Sequence, residues 1–110
     1  MNNIRKYGLL TTDIEKMISI FKSNSKIENV ILFGSRAIGT YKPGSDIDIA
    51  LKGTDIKLND ILNINADLDN ISTPYKFDIV IYSRITESAL TDHIKRVGIS
   101  LFKRSKLNTK

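Results

Sequence analysis

Asp46 and Asp48 are separated by one residue in the alternating stretch Asp46-Ile47-Asp48-Ile49-Ala50-Leu51, where Ile47, Ile49 and Leu51 share one side and the aspartates share the other with Ala50. That alternation predicts a strand, and alternate residues of a strand leave the same face about 6.6 Å apart at the backbone. Two carboxylates so placed can lean together onto a hard cation. Magnesium takes oxygen ligands at about 2.1 Å and leaves positions open for substrate phosphates. Asp78 interrupts a second apolar stretch, Phe77 to Tyr82. If that strand lies beside 47–51, a third carboxylate joins the other two. A pair of metal ions about 3.5–4 Å apart, bridged by such carboxylates, serves in-line displacement at phosphorus.

Gly34 and Ser35 follow directly on Val30 to Phe33, a wholly apolar run that reads as a buried strand, and Arg36 to Gly39 can form a turn of helix. Glycine permits close backbone approach, and free N–H groups at the start of such a turn attract phosphate oxygens. The Ser35 hydroxyl and the Arg36 guanidinium are further donors suited to the same ligand.

A lone Asp-x-Asp is weak evidence in a chain with nine aspartates. Requiring Gly-Ser some ten residues earlier lowers the chance expectation to the order of a few in a thousand for a chain of this size. Any one strand aspartate is most often only a solvated residue. Together the case reverses, because carboxylates about 4 Å apart repel by roughly 4 kcal/mol per pair at an effective dielectric of 20, which cations or raised pKa values must relieve.

The elements that must position these residues are legible in part. Thr12 and Glu15 form a capping-box pattern ahead of Ile14, Met17, Ile18 and Phe21, which predicts a helix over about 13–24. Leu58, Ile61, Leu62, Leu68 and Ile71 make an apolar stripe for a helix over about 57–71. A last helix is expected over 86–97, with Leu90, Ile94 and Val97 inward and Gly98 as its stop, and a short strand over 99–102. Helices alternating with short strands imply an α/β, or α+β, domain with helices packed on a small mixed sheet.

The chain of 110 residues is 41% hydrophobic and 26% charged, the balance of one ordinary globular domain. It contains no cysteine, which excludes disulfides and thiolate metal sites. No apolar run has the length of a signal peptide or a membrane span, so a cytoplasmic protein is expected. The net charge of +5 is local: residues 1–92 hold 11 basic and 12 acidic residues, and residues 93–110 hold six basic residues and no acid. A basic, flexible tail over about 104–110 is the plain reading. Nucleic-acid binding by that end is disfavoured, since Phe102 is its only aromatic residue for stacking.

The stretch Gly34 to Leu51, GSRAIGTYKPGSDIDIAL, together with Phe77-Asp78-Ile79, resembles the minimal nucleotidyltransferase (MNT) group of the DNA polymerase β superfamily. Phe33, Gly34, Ser35, Asp46, Asp48 and Asp78 fill the signature in order, and the likeness extends over about residues 10–103. Ile38 departs from it, standing where relatives often carry a basic or polar residue. The resemblance implies a palm-like fold and transfer of a nucleoside monophosphate, AMP from ATP or the counterpart from another nucleoside triphosphate, to a hydroxyl with two Mg2+ ions, or Mn2+ in their place. It assigns both metals to Asp46 and Asp48, the catalytic metal and the acceptor's proton to Asp78, and the β and γ phosphates to Gly34 and Ser35, with Arg36 assisting. It further implies an antitoxin whose partner is a helical HEPN toxin modified on a tyrosine, and association as a homodimer or with that other chain. A chain this short lacks the added domains with which polymerases and drug-modifying relatives hold their acceptors, so the acceptor is expected on another protein. The competing reading is an antitoxin that neutralises its partner by docking alone. His93 reads as an edge-of-core residue, Tyr41, Lys42 and Pro43 equally as a surface loop or as contacts to substrate, and Arg84 as a surface residue or one that reaches an acceptor or phosphate.

Overall fold

A computed structural model describes residues 4–71 and 74–105. The chain opens with a hairpin, β1 (Arg5–Lys6) and β2 (Leu9–Leu10), whose turn residues Tyr7 and Gly8 both take positive φ. This is the turn geometry that matches the twist of two short strands. The hairpin leads into α1 (Thr11–Lys22), followed by β3 (Ile27–Phe33), the single-turn helix α2 (Ser35–Ile38), β4 (Ile47–Gly53), α3 (Leu58–Asp69), β5 (Phe77–Ile81), a 3-10 turn (Tyr82–Arg84), α4 (Ser88–Val97) and β6 (Ile99–Lys103). The larger sheet has the order β5-β4-β3-β6, with β5 parallel to β4 and the other pairs antiparallel. The expected mixed sheet with helices is therefore present.

One face of the sheet carries Val30, Leu32, Ile47, Ile49 and Leu51, which pack with Ile14, Met17 and Phe21 of α1 and Ile64 and Leu68 of α3. The other face carries Ile31, Phe33 and Ala50, covered by Ile94 of α4 with Leu90 and Val97 beside it. The strict alternation of β4 divides its side chains between these two clusters.

Several local expectations are corrected. α1 begins at Thr11, with the Thr11 N–H donating to Ile4 O at 3.0 Å, so the hairpin starts the helix and the Thr12–Glu15 capping box does not form. In α3, Leu58 and Leu62 are 64% and 56% exposed, and Ile64 takes the buried place that the sequence stripe gave to them. Helix α3 is tied down instead by Asp60, whose carboxylate accepts from Lys57 N–H at 2.8 Å, Asn24 Nδ2 at 3.0 Å and Lys26 Nζ at 3.0 Å. Gly98 ends α4 in an extended conformation, not a left-handed one. A Cβ there would press on Ile94 O and on Ile31 Cγ2, so close packing of α4 on β3 explains the glycine. Arg104, expected to begin a loose tail, donates to Ile27 O, Lys22 O and Asn24 O and closes the end of α1. Residues 106–110 of that tail lie outside the described residues.

Candidate active site

The Gly34 to Arg36 turn and the three aspartates gather at one end of the sheet. Strand β3 delivers Gly34 at its C-terminal end, and β4, antiparallel to it, begins there, with Phe33 opposite Asp48. In the parallel β4–β5 pair Asp48 stands in register with Asp78. Both lie on the side of the sheet that α4 covers, because their neighbours Ile47, Ile49, Phe77 and Ile79 face the other core. Neighbouring strands are about 4.8 Å apart, so the two carboxylates start as close neighbours. Asp46 lies one residue ahead of β4, exposed, on the same phase as Asp48.

Burial pushes the Asp48 carboxyl above the ordinary carboxylate value, and the charges of Asp78 and then Asp46 push it the same way. Among the described residues, no three His, Asp or Glu side chains close on one point tightly enough to hold an ion as they stand. The face nevertheless fits a hard divalent cation: its donors are carboxylate oxygens, and Asp48 is held in mutual repulsion that a bound cation would relieve.

Gly34 has φ +75° and ψ −157°, a region open essentially to glycine alone. A Cβ at this position would overlap Oδ2 of Asp48, so the bare Cα is what lets the turn and the acidic strand meet. The carbonyls of the turn are used inward: Gly34 O accepts from the N–H groups of Ala37 and Ile38, and Ser35 O from those of Gly39 and Thr40. The amides of Ser35 and Arg36 open α2 and have no partner within it. The Ser35 hydroxyl carries no hydrogen bond among the described residues. These are the donors that the turn presents.

The Arg36 side chain goes elsewhere. It is 2% exposed, donating through Nη1 to Tyr7 O at 2.9 Å and through Nε and Nη2 to Ser45 O at 3.2 and 2.9 Å. Its guanidinium lies over the rings of Tyr41 and Tyr75 at 5.2 and 5.0 Å. The expected phosphate donor is thus a clamp joining the N-terminal hairpin, the 40–45 loop and the segment before β5. Tyr41 belongs to that clamp, and Lys42 N–H donates to Ser45 Oγ at 2.8 Å, so the loop is fastened from within. Ile38, the departure from the family pattern, points outward at 52% exposure, and Arg84 is exposed on the 3-10 turn.

The site contains one residue that the sequence reading left aside. His93 is half-buried at the edge of the core, as its spacing implies, and its Nε2 also accepts the Gly34 N–H at 3.2 Å. Nothing in the sequence links two positions 59 residues apart. The only hint is that His93 is a polar residue at the spacing of the Leu90, Ile94 and Val97 stripe.

Residues 15–107 match the family model described as polymerase beta, nucleotidyltransferase. Among solved structures, a toxin–antitoxin complex with AMP-PNP contains a chain 24% identical, with 84% of this chain and 75% of that one covered and a TM-score of 0.70. The complex of a tri-AMPylated Shewanella oneidensis HEPN toxin with its MNT antitoxin aligns at 20% identity, covering 86% and 72% of the two chains with a TM-score of 0.65. An MntA–HepT toxin–antitoxin complex aligns at 21% identity over 86% and 73%, with a TM-score of 0.59. At these identities the likeness is one of fold. No curated protein sequence matches the chain.

Proposed function

Since this chain belongs to the polymerase β nucleotidyltransferase family, we propose that it transfers a nucleoside monophosphate, AMP from ATP, to a hydroxyl of a partner protein, and that the partner is a HEPN-type toxin which this transfer silences. The observation that carries the reading is the pairing of Asp48 with Asp78 in register, with Gly34 pressed against the Asp48 carboxylate. Acidic groups and amide donors gathered at one end of the sheet are what a triphosphate with its counter-ions requires. The antitoxin role draws on the solved complexes of the same fold, which pair an MNT chain with a HEPN toxin.

Asp46, Asp48 and Asp78 would hold divalent cations, which when bound neutralise phosphate charge and make an acceptor hydroxyl more nucleophilic. The remaining work falls to the chain itself. Ser35, through its N–H and hydroxyl, and the Arg36 N–H bind phosphate oxygens of the nucleotide. Asp78, exposed on the edge strand, takes the acceptor's proton in this reading. Arg36 contributes by fixing the loop that carries Asp46.

The test is a transfer experiment with the full chain, its HEPN partner, magnesium and ATP labelled at the α phosphate. Label should pass to the partner and should be lost with Asp46→Asn. No transfer by the parent, or an Asp46→Asn variant as active as the parent, would sink the reading. Complete neutralisation of the toxin by Asp48→Asn would favour docking alone.

A further inference from the structure

The hydrogen bond from Gly34 N–H to His93 Nε2 joins α4 to the turn of the candidate site at 3.2 Å. Gly34 has no side chain to fix its peptide plane, and its backbone region is one that other residues avoid. Something outside the turn must therefore hold it. The imidazole is itself held: its ring meets Phe33 edge-on, with centroids 6.0 Å apart and planes at 81°, and its neighbour Ile94 is buried against the sheet. A neutral imidazole accepts through one nitrogen and donates through the other, so in this geometry Nε2 is bare and the proton sits on Nδ1. The contact runs from a helix anchored on the sheet by Ile94, through one nitrogen, to the Phe33–Gly34 peptide that leads into the Ser35 turn.

We propose that His93 is a positioning residue of the nucleotide site: its Nε2 fixes the peptide plane of Gly34, so that the Ser35 donors face the triphosphate and the bare Cα stays against the Asp48 carboxylate. This rests on the nucleotidyltransferase reading and adds α4 to the parts that determine nucleotide affinity. Losing one hydrogen bond of this kind weakens an interaction by roughly fivefold to tenfold.

The test uses magnesium with AMP-PNP as probe on the full chain, together with two variants. His93→Phe keeps a ring against Phe33 and removes the acceptor, and His93→Gln returns an amide oxygen near the place of Nε2. Calorimetry should show AMP-PNP bound about fivefold to tenfold more weakly by the Phe variant, with most of the loss recovered by the Gln variant. In the transfer reaction the Phe variant should raise KM for ATP by a similar factor and leave kcat nearly unchanged. Nitrogen NMR of histidine-labelled parent protein should show an unprotonated Nε2, a result that needs no variant to fold. Equal affinity of the Phe variant and the parent, no recovery by Gln, or a proton on Nε2 would overturn the inference. A parent that binds no AMP-PNP defeats the nucleotidyltransferase reading and the inference with it, whereas a binding parent with an unaffected Phe variant defeats the inference alone.

Discussion

The Cα of Gly34 and the carboxylate of Asp48 occupy adjoining space with no room for a side chain between them. Gly34→Ala therefore meets two obstacles, a backbone region hostile to alanine and an overlap with Oδ2 of Asp48. The backbone strain costs about 1–3 kcal/mol. If the fold survives, the carboxylate must swing away from the turn. The expected outcome is a folded variant, destabilised by that amount in urea, whose transfer activity is at background. Activity near that of the parent would show that the contact is dispensable.

Asp48→Asn should separate stability from function. The Asp48 carboxyl is raised by burial and by the charges of Asp78 and Asp46, so the folded state holds its proton more tightly than the unfolded chain does. The stability linked to that proton is complete below the unfolded value near 3.9 and is lost as pH rises through the higher folded value. At pH 7 and without metal, the uncharged Asn relieves the repulsion. After solvent screening the gain is at most about 1 kcal/mol, a rise of roughly 4 °C in Tm. The same variant should lose transfer activity and any stabilisation by magnesium with ATP. A lower Tm in metal-free buffer would refute this account of the site's electrostatics.

Saturating nucleotide and magnesium should stabilise the parent protein. At a hundred times the dissociation constant, selective binding to the folded state contributes about 2.7 kcal/mol. That is an upward shift of at least 10 °C for a domain of about this size. Magnesium alone should give a smaller rise, and Asp48→Asn should abolish both. An unchanged Tm with ATP and magnesium present would mean that the acidic face binds neither.

The Asp46–Asp48 pair and the Gly-Ser turn stand out in the sequence because both signals are local, whereas the register of Asp78 with Asp48 depends on which strands pair. An Asp two residues from another on a strand, and a glycine after an apolar run, depend on near neighbours and on a period of two. The fate of Arg36 depends on what surrounds it in space. Its partners, Tyr7, Ser45, Tyr41 and Tyr75, come from three separate segments, and an arginine after Gly-Ser reads equally well as a phosphate donor. His93 was illegible for the same reason. The stripe on α3 misled because Leu58 and Leu62 repeat at helical spacing but lie outside the surface that α1 and the sheet bury, whereas Ile64 and Leu68 lie within it.

Arg36→Lys tests whether that residue is a clamp. Lysine keeps the charge but cannot reach Tyr7 O and Ser45 O together, and it loses the planar stacking on Tyr41 and Tyr75. With hydrogen bonds to a buried charge lost, the expected destabilisation is about 3 kcal/mol, read as a fall in the urea midpoint. Nucleotide binding by the fraction still folded should be close to that of the parent. A variant of parental stability with weakened nucleotide affinity would return Arg36 to the role of phosphate donor.

Asp60 gives a pH dependence of the opposite sign to Asp48. The backbone N–H of Lys57, then Asn24 and Lys26, hold its carboxyl down to about 2, whereas in the unfolded chain it titrates near 3.9. The folded state therefore binds this proton more weakly. The stability it contributes is fully present above the unfolded value and is lost as pH falls from about 4 towards about 2. Asp60→Asn removes the charge while leaving an oxygen for the Lys57 N–H. The urea midpoint of the variant should lie below that of the parent at pH 6, and the gap should narrow steadily through that acid window. The gap isolates Asp60, because the parent and the variant share every other carboxylate. A gap of the same size at pH 6 and pH 2 would mean that the start of α3 is held by something other than this charge.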